Sequence, residues 1–240
     1  MINIVIPMNG AGSRFSKAGY KDPKPFIDVN GLPMIEQVIK NLNFEDAKFI
    51  LIARKSHCVH YRHIMDKLIK AYNVEFIFSD LLTEGAACTV LFARRLINND
   101  IPLLIANSDQ IIDINIKEMI DYSDSSNLDG CILTFKADDP KWSYVKVKDN
   151  IITELKEKQV ISNDATVGIY YFRKGKIFVD NAIDMIINND RVNNEFYVAP
   201  TYNYAINNNF KFGIYEIKNT QMHGIGTPED LVSYLSLVKR

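Results

Sequence analysis

Asn9-Gly10-Ala11-Gly12-Ser13-Arg14-Phe15 follows directly on an apolar run, Ile2–Pro7. Glycines after a buried strand permit a tight turn whose backbone N–H groups point at phosphate oxygens. Arg14 puts a cation at the end of that loop. Lys24, ten residues on within Asp22-Pro23-Lys24-Pro25-Phe26, adds a second. Prolines on both sides of the lysine predict an extended backbone, so that its ammonium is aimed rather than free to wander. A guanidinium and an ammonium converging on one glycine loop suit a triphosphate. The loop alone reads equally as an ordinary tight turn. It is not a Walker loop, because no Gly-Lys-Ser/Thr follows. Nor is it the dinucleotide pattern: Phe15 stands where the third small residue is needed, and no helix is predicted to begin there.

Asn107-Ser108-Asp109 follows a second apolar run, Pro102–Ala106. A carboxylate at the end of a buried strand is placed to hold Mg²⁺ against a triphosphate, and an arbitrary Asp there reads as a turn or helix cap. His57, His60 and His63 recur every three residues, so their directions rotate around a helix instead of stacking at i, i+4. They read as a solvated helix face. Cys58, Cys88 and Cys131 are widely spaced and odd in number, which excludes a complete disulfide framework and fits a reducing cytoplasm. The formal net charge is -1, which argues against a basic nucleic-acid groove. The opening residues lack the features of a signal peptide, and no stretch is apolar enough to span a bilayer.

These residues need a scaffold, and the hydrophobic pattern supplies one. Short apolar runs, Ile2–Pro7, Lys48–Ala53, Val74–Phe78, Pro102–Ala106 and Gly130–Phe135, alternate with amphipathic stretches at Pro33–Leu42, Cys58–Tyr72, Ala86–Ile97 and Ile114–Tyr122. Such alternation predicts an α/β fold, a mostly parallel Rossmann-like sheet covered by helices on both faces. Ser143–Lys148, Asn150–Lys156 and Ala165–Phe172 are β-rich, with a hairpin turn at Asp149–Asn150. Thr227-Pro228-Glu229-Asp230 predicts a capped helix running through Leu231, Tyr234, Leu235 and Val238 to the terminus. No linker divides the chain, so one domain is expected over 1–240. Its parts are an α/β half (1–136), a β-rich insertion (137–222) and a closing helix (223–240).

Gly-x-Gly-Ser/Thr-Arg, ten residues from that Arg to the Lys of Lys-Pro, and then Gly-x-Pro-Met-Ile before a helix resembles the sugar nucleotidyltransferase signature. Here it reads GAGSRFSKAGYKDPKPFIDVNGLPMIEQVI, residues 10–39. The spelling is also similar to that of the small cytidylyltransferases. The resemblance implies that Met8, Asn9, Gly10, Ala11, Gly12 and Ser13 hold the nucleotide and that Arg14 and Lys24 are catalytic. It implies Asp109 as the ligand of the cofactor Mg²⁺. Thr83-Glu84-Gly85-Ala86 resembles the segment that packs on the nucleobase, giving Thr83, Gly85 and Ala86, and reads equally as a plain connection into a helix. Glu157-Lys158 before Val167-Gly168-Ile169-Tyr170 is similar to the acceptor-side pattern, so Glu157, Lys158 and Gly168 would line the acceptor, with Glu195 as a further contact. One position departs. Where the family often carries a second metal carboxylate, two residues before Gly-Thr, this chain has Gly224. His223 beside it reads either as a ligand contact or as a packed histidine.

The activity so implied joins a nucleoside triphosphate to a sugar 1-phosphate or other phosphorylated small molecule, releasing pyrophosphate, in nucleotide-sugar and surface-polysaccharide biosynthesis. A phosphate monoester is already an anionic nucleophile, so positioning and electrostatics carry the chemistry. Arg14 would stabilise the leaving group, Lys24 the phosphates and Lys158 the incoming phosphate. The short chain tips the donor towards CTP. The partners implied are these two small molecules, with no nucleic acid and no membrane, and with a homo-oligomer left open. A glycosyltransferase with a nucleotide-sugar fold, or a regulatory module without turnover, are the alternatives. The first gives no reason for the Arg14/Lys24 pair.

Overall fold

The computed structural model describes residues 1–238. Its elements in chain order are β1 (Ile2–Pro7), α1 (Ser13–Lys17), β2 (Asp28–Val29), β3 (Leu32–Pro33), α2 (Met34–Leu42), β4 (Ala47–Ala53), α3 (His57–Ala71) and β5 (Val74–Phe78). There follow α4 (Ala86–Val90), α5 (Arg94–Ile97), β6 (Leu103–Ala106), β7 (Gln110–Ile112), α6 (Ile116–Ser125) and β8 (Gly130–Lys136). The second half gives β9 (Ser143–Lys148), β10 (Ile151–Glu157), β11 (Asp164–Phe172), α7 (Gly175–Ile187), α8 (Thr201–Asn207), β12 (Phe212–Glu216), β13 (Met222–Gly224) and α9 (Pro228–Val238).

Apolar residues on both sides of each early strand force the sheet to be covered on both faces. Ile4 and Ile6 of β1 enter one core with Phe49, Leu51 and Leu104, under α2, α3 and α6. Val5, between them, enters the other with Ile50, Ile52, Leu103 and Ile105, under α4, α5, α7 and α8. The result is a nine-stranded α/β sheet with the path β10-β9-β11-β6-β1-β4-β5, to which β8 adds beside β11 and β12 beside β8. Its β6-β1-β4-β5 portion is parallel. After β1 the chain crosses to β4 and β5 on one side, then returns to β6 on the other. The carboxyl ends of β1 and β6 therefore flank a topological switch point, where such sheets leave a crevice.

β11 carries the handover to the second half. Its final residues pair antiparallel with β6, and Ala165 pairs with Tyr144 of β9. Between them the register against β8 shifts, around Gly168 at φ +92°. A Cβ on Gly168 would lie 2.2 Å from the Asn107 side-chain nitrogen, so only glycine lets the bend close onto the loop after β6.

Four features depart from the sequence expectations. A helix does begin at the glycine loop: α1 forms with Gly12 left-handed before it and Phe15 buried edge-on against Tyr20. The expected Ala86–Ile97 helix is broken by a 3-10 turn at Leu91–Ala93. The 137–222 stretch also contains α7 and α8, whose Phe178, Met185 and Tyr202 fill the second core. Among the three histidines only His60 and His63 are exposed; His57 is buried edge-on against Phe26, and burial holds its pKa below the ordinary value. The Asp149–Asn150 hairpin turn has both residues at positive φ, as a type I′ turn requires. At α9 the Thr227 hydroxyl accepts from the Asp230 N–H, and the expected continuation into Lys239 and Arg240 lies outside the described residues. No helix among the described residues is long and apolar enough to cross a membrane.

Candidate active site

The loop after β1 and the loop after β6 enclose a cavity lined by Met8, Gly10, Gly12, Ser13 and Arg14 on one side and Ser108 and Gly226 on the other, with Lys24 across it. The lysine reaches it in a way the flanking prolines did not predict. Pro23 is extended, but Lys24–Phe26 forms a single 3-10 turn, closed by the Phe26 N–H donating to the Pro23 carbonyl at 2.8 Å. That turn packs on the loop: a Cβ on Gly12 would stand 3.2 Å from the Lys24 Cβ. The Lys24 ammonium forms an ion pair with the Asp109 carboxylate, and both side chains are about one-fifth exposed. Gly226 makes room for that carboxylate, since a Cβ there would lie 2.4 Å from Asp109 Oδ2.

Asn9, Thr83 and Gly85 do not line this cavity; they brace the loop from behind. The Asn9 side chain donates to the Leu81 carbonyl at 3.4 Å and accepts from the Thr89 hydroxyl at 3.3 Å. The hydroxyls of Thr83 and Thr89 lie 2.6 Å apart. At Gly85 (φ +118°) a Cβ would sit 2.4 Å from the Phe196 carbonyl oxygen. The close approach is used: Phe196 N–H donates to the Glu84 carbonyl at 2.7 Å, and Ala87 N–H to the Phe196 carbonyl at 3.0 Å. Ala11 is exposed on the loop. Ala86 faces the neighbouring cavity.

That second cavity, about 550 Å³, is of small-molecule size. Arg14, Asp109 and Gly168 line it together with Glu157, Lys158 and Glu195. Glu157, at the end of β10, accepts a hydrogen bond from the Ser143 hydroxyl. Burial pushes its carboxyl above the ordinary range, against the Ser143 bond and the nearby Lys158. Lys158 sits at φ +54°, its N–H donating to the Trp142 carbonyl at 3.1 Å. Its ammonium donates to the Tyr197 hydroxyl at 2.6 Å and lies over that ring. Burial and the neighbouring Glu195 carboxylate raise the Tyr197 phenol's pKa. A third cavity adjoins, bounded by Gly224, Gly226 and Asp230 and sharing Arg14 and Asp109. His223 is turned aside, its Nε2 2.7 Å from the Asp113 carboxylate and its ring against Tyr234.

Sequence reading missed Gly226, Gln110, Trp142 and Tyr197. The Gly-Thr-Pro start of α9 marked the first. Nothing local marks the others, which matter only through distant segments.

The model of the nucleotidyl transferase family matches residues 4–220. The chain belongs to that family. It is 30% identical over 179 residues to a mannose-1-phosphate guanyltransferase of Kluyveromyces lactis, a match covering 69% of the chain and 48% of that protein. The chain thus spans about half the length of the curated relatives it matches. Among solved structures, a nucleoside-diphosphate-sugar pyrophosphorylase of Vibrio cholerae superposes with a TM-score of 0.82 at 22% identity, covering 97% of this chain and 99% of that one. The inositol-1-phosphate CTP transferase of T. maritima gives 0.74 at 16% identity, covering 100% and 95%. At these identities the two structures support the fold.

Proposed function

We propose that the chain is one nucleotidyltransferase domain, acting in the cytoplasm, that transfers a nucleotidyl group from a nucleoside triphosphate to a sugar 1-phosphate or similar phosphorylated small molecule. One observation carries this reading: the phosphate-loop cavity and the Glu157/Lys158 cavity meet at Arg14, beside Asp109. Two anionic substrates seated there would bring their phosphates together at a guanidinium. An oxygen of the acceptor phosphate forms the new bond to the α-phosphorus. The bond from that phosphorus to the bridging oxygen breaks, and its electrons leave on pyrophosphate. Arg14 takes up charge on the leaving group, and Lys24 holds the phosphates once it parts from Asp109. Lys158, steadied on Tyr197, receives the acceptor phosphate, and Glu157, Gly168 and Glu195 line the acceptor's body. Met8 and the 9–13 loop hold the nucleotide, with Thr83, Gly85 and Ala86 behind its base.

The donor set fits Mg²⁺, a hard cation that takes one or two carboxylates and fills the rest with phosphate and water. Asp109 supplies one carboxylate. Asp230 Oδ2 stands 3.9 Å from where a Cβ on Gly224 would be, which places a second carboxylate at the same cavity. Among the described residues no three His, Cys, Asp or Glu are grouped to hold an ion unaided. When bound, Mg²⁺ would draw charge from the triphosphate and the departing pyrophosphate.

For the base we propose CTP, on the likeness of residues 10–39 to the small cytidylyltransferases; the guanyltransferase relatives make GTP the comparison arm. Pyrophosphate release is measured with each of the four nucleotides, Mg²⁺, and glucose 1-phosphate, mannose 1-phosphate or inositol 1-phosphate. Release with one acceptor and CTP supports the whole reading, and release only with GTP overturns the base. No release with any pair, from folded protein, removes the transfer reading.

A further inference from the structure

Gln110 has no part in the reaction as drawn, yet it follows Asp109 directly and opens β7. Its side chain is buried, with the residue only 7% exposed. The carboxamide oxygen Oε1 is fully buried and has no hydrogen-bond partner. Three other buried side-chain atoms share that condition among the described residues: His57 Nδ1, Ser123 Oγ and Thr134 Oγ1. Of the four residues, only Gln110 lines the acceptor cavity, and it lines the adjoining Gly224 cavity as well.

Two glycines keep the carboxamide clear. Gly224 of β13 stands directly opposite Gln110 in the antiparallel pair, so no cross-strand side chain reaches over to it. On the acceptor side, a Cβ on Gly168 would come within 3.5 Å of Gln110 Oε1. Two other polar side chains of that cavity are already paired within the protein: Glu157 with Ser143, and Lys158 with Tyr197. A buried carbonyl without a donor lowers stability, and a donor brought by a ligand restores the loss. Such a group at the wall of a binding cavity is poised for a ligand.

We propose that Gln110 is a specificity-determining residue for the acceptor, its carboxamide hydrogen-bonding a hydroxyl on the acceptor's body. The inference rests on the transfer reading above and narrows the acceptor class to phosphates with a free hydroxyl facing β7. A hydroxyl both donates and accepts, so it meets the carboxamide whichever way its two ends are turned. A site built to bond a hydroxyl rejects the analogue that lacks it.

The test uses full-length protein and whichever of glucose 1-phosphate and mannose 1-phosphate releases more pyrophosphate, together with its 2-, 3-, 4- and 6-deoxy analogues. Gln110→Leu is expected to raise KM for the parent sugar phosphate by about ten- to a hundredfold and to leave KM for the nucleotide unchanged. One deoxy analogue should be as poor for the wild type as the parent is for the variant, and on that analogue the substitution should make no further difference. The unliganded variant should melt no lower than the wild type, because an unpaired carbonyl has been replaced by apolar surface. Should leucine not fold, Gln110→Met, closer in shape, takes its place. An equal loss on the parent and on every analogue, or a lowered melting point with unchanged acceptor KM, makes Gln110 structural and overturns the inference. No pyrophosphate from the wild type with either sugar phosphate overturns this inference, and only the absence of release with inositol 1-phosphate as well sinks the transfer reading.

Discussion

Arg14 stands where three cavities adjoin, which gives one side chain access to both substrates in the proposed reaction. Arg14→Ala should therefore lower kcat by about two to three orders of magnitude, the scale of losing a donor that acts on transition-state charge. Steady-state kinetics check it, and a near-normal kcat would remove Arg14 from the chemistry. Glu157 makes a different prediction, about pH. Its folded-state pKa is raised by burial, so between the ordinary carboxylate value and that raised value the folded protein holds more protons than the unfolded chain. Stability must then fall as pH rises through that window, because the folded state is the one that loses protons. Glu157→Gln keeps a partner for Ser143 without the charge. It should melt higher than the wild type at neutral pH and show a weaker decline above pH 5. Thermal melts from pH 4 to 8 measure this, and a variant that melts lower at neutral pH would mean the ionised carboxylate is stabilising. Residue types and spacing made Arg14 and Lys24 legible as a cation pair at a glycine loop; Asp109, Glu157 and Lys158 became candidates only through the family resemblance, because alone they read as a turn residue and solvated charges. Tyr197 and Gln110 were legible in neither way: a phenol under an ammonium and an unpaired amide are facts of approach between segments far apart in the chain.

The elements divide by how local their causes are. β1, β4, β6 and β8 fall within a residue of the apolar runs, since a strand buried on both faces writes itself as a mostly apolar run, and β5 matches its run although it is only half-buried. α2 was equally plain, with Met34, Ile35, Val38, Ile39 and Leu42 on one buried face behind Pro33. α1 was invisible because five residues carry too little period. It exists because Gly12 turns left-handed and Phe15 finds a buried place against Tyr20. α7 and α8 were lost among asparagines, several of them left-handed in the loops between and after these helices. Gly85 belongs to this scale as well. It joins the connection before α4 to the Phe196 backbone, and so ties the first half of the chain to the second. Gly85→Ala sets a Cβ 2.4 Å from the Phe196 carbonyl oxygen at a φ of +118°, where neither backbone has room to yield. We expect a cost on the order of 2–3 kcal/mol. For a chain of this size that lowers Tm by roughly 5–10 °C. A calorimetric melt checks it, and an unchanged Tm would show that the two segments separate freely.

Over the whole molecule, three distant stretches converge on one carboxylate. Asp109 comes from the end of β6, Lys24 reaches it from 85 residues earlier, and Gly226, before α9, clears the space beside it. The Asp109 backbone carbonyl also accepts from the Ile225 N–H at 2.9 Å, so the C-terminal segment is pinned at the same point. In this arrangement the ammonium of Lys24 occupies the carboxylate that Mg²⁺ would need. In the proposed reaction, metal binding to the free protein would have to displace that ion pair, whereas a triphosphate would offer Lys24 other oxygens and release Asp109. Mg²⁺ should accordingly bind the free protein weakly, on the order of millimolar, and much more tightly once nucleotide is present. Lys24→Met should tighten Mg²⁺ on the free protein by roughly three- to tenfold, since a partly exposed ion pair is lost as competitor, while weakening the nucleotide. Asp109→Asn should nearly abolish turnover and leave the fold intact. Gly224 is not at positive φ and has an open cavity before it, so Gly224→Asp is tolerated by the backbone and should tighten Mg²⁺ by adding a carboxylate beside Asp230. Isothermal calorimetry on free and nucleotide-bound protein separates these expectations. Tight binding to the free wild type that survives Asp109→Asn would place the ion elsewhere, and a Lys24→Met protein with unchanged Mg²⁺ affinity would show that the ion pair does not guard the site.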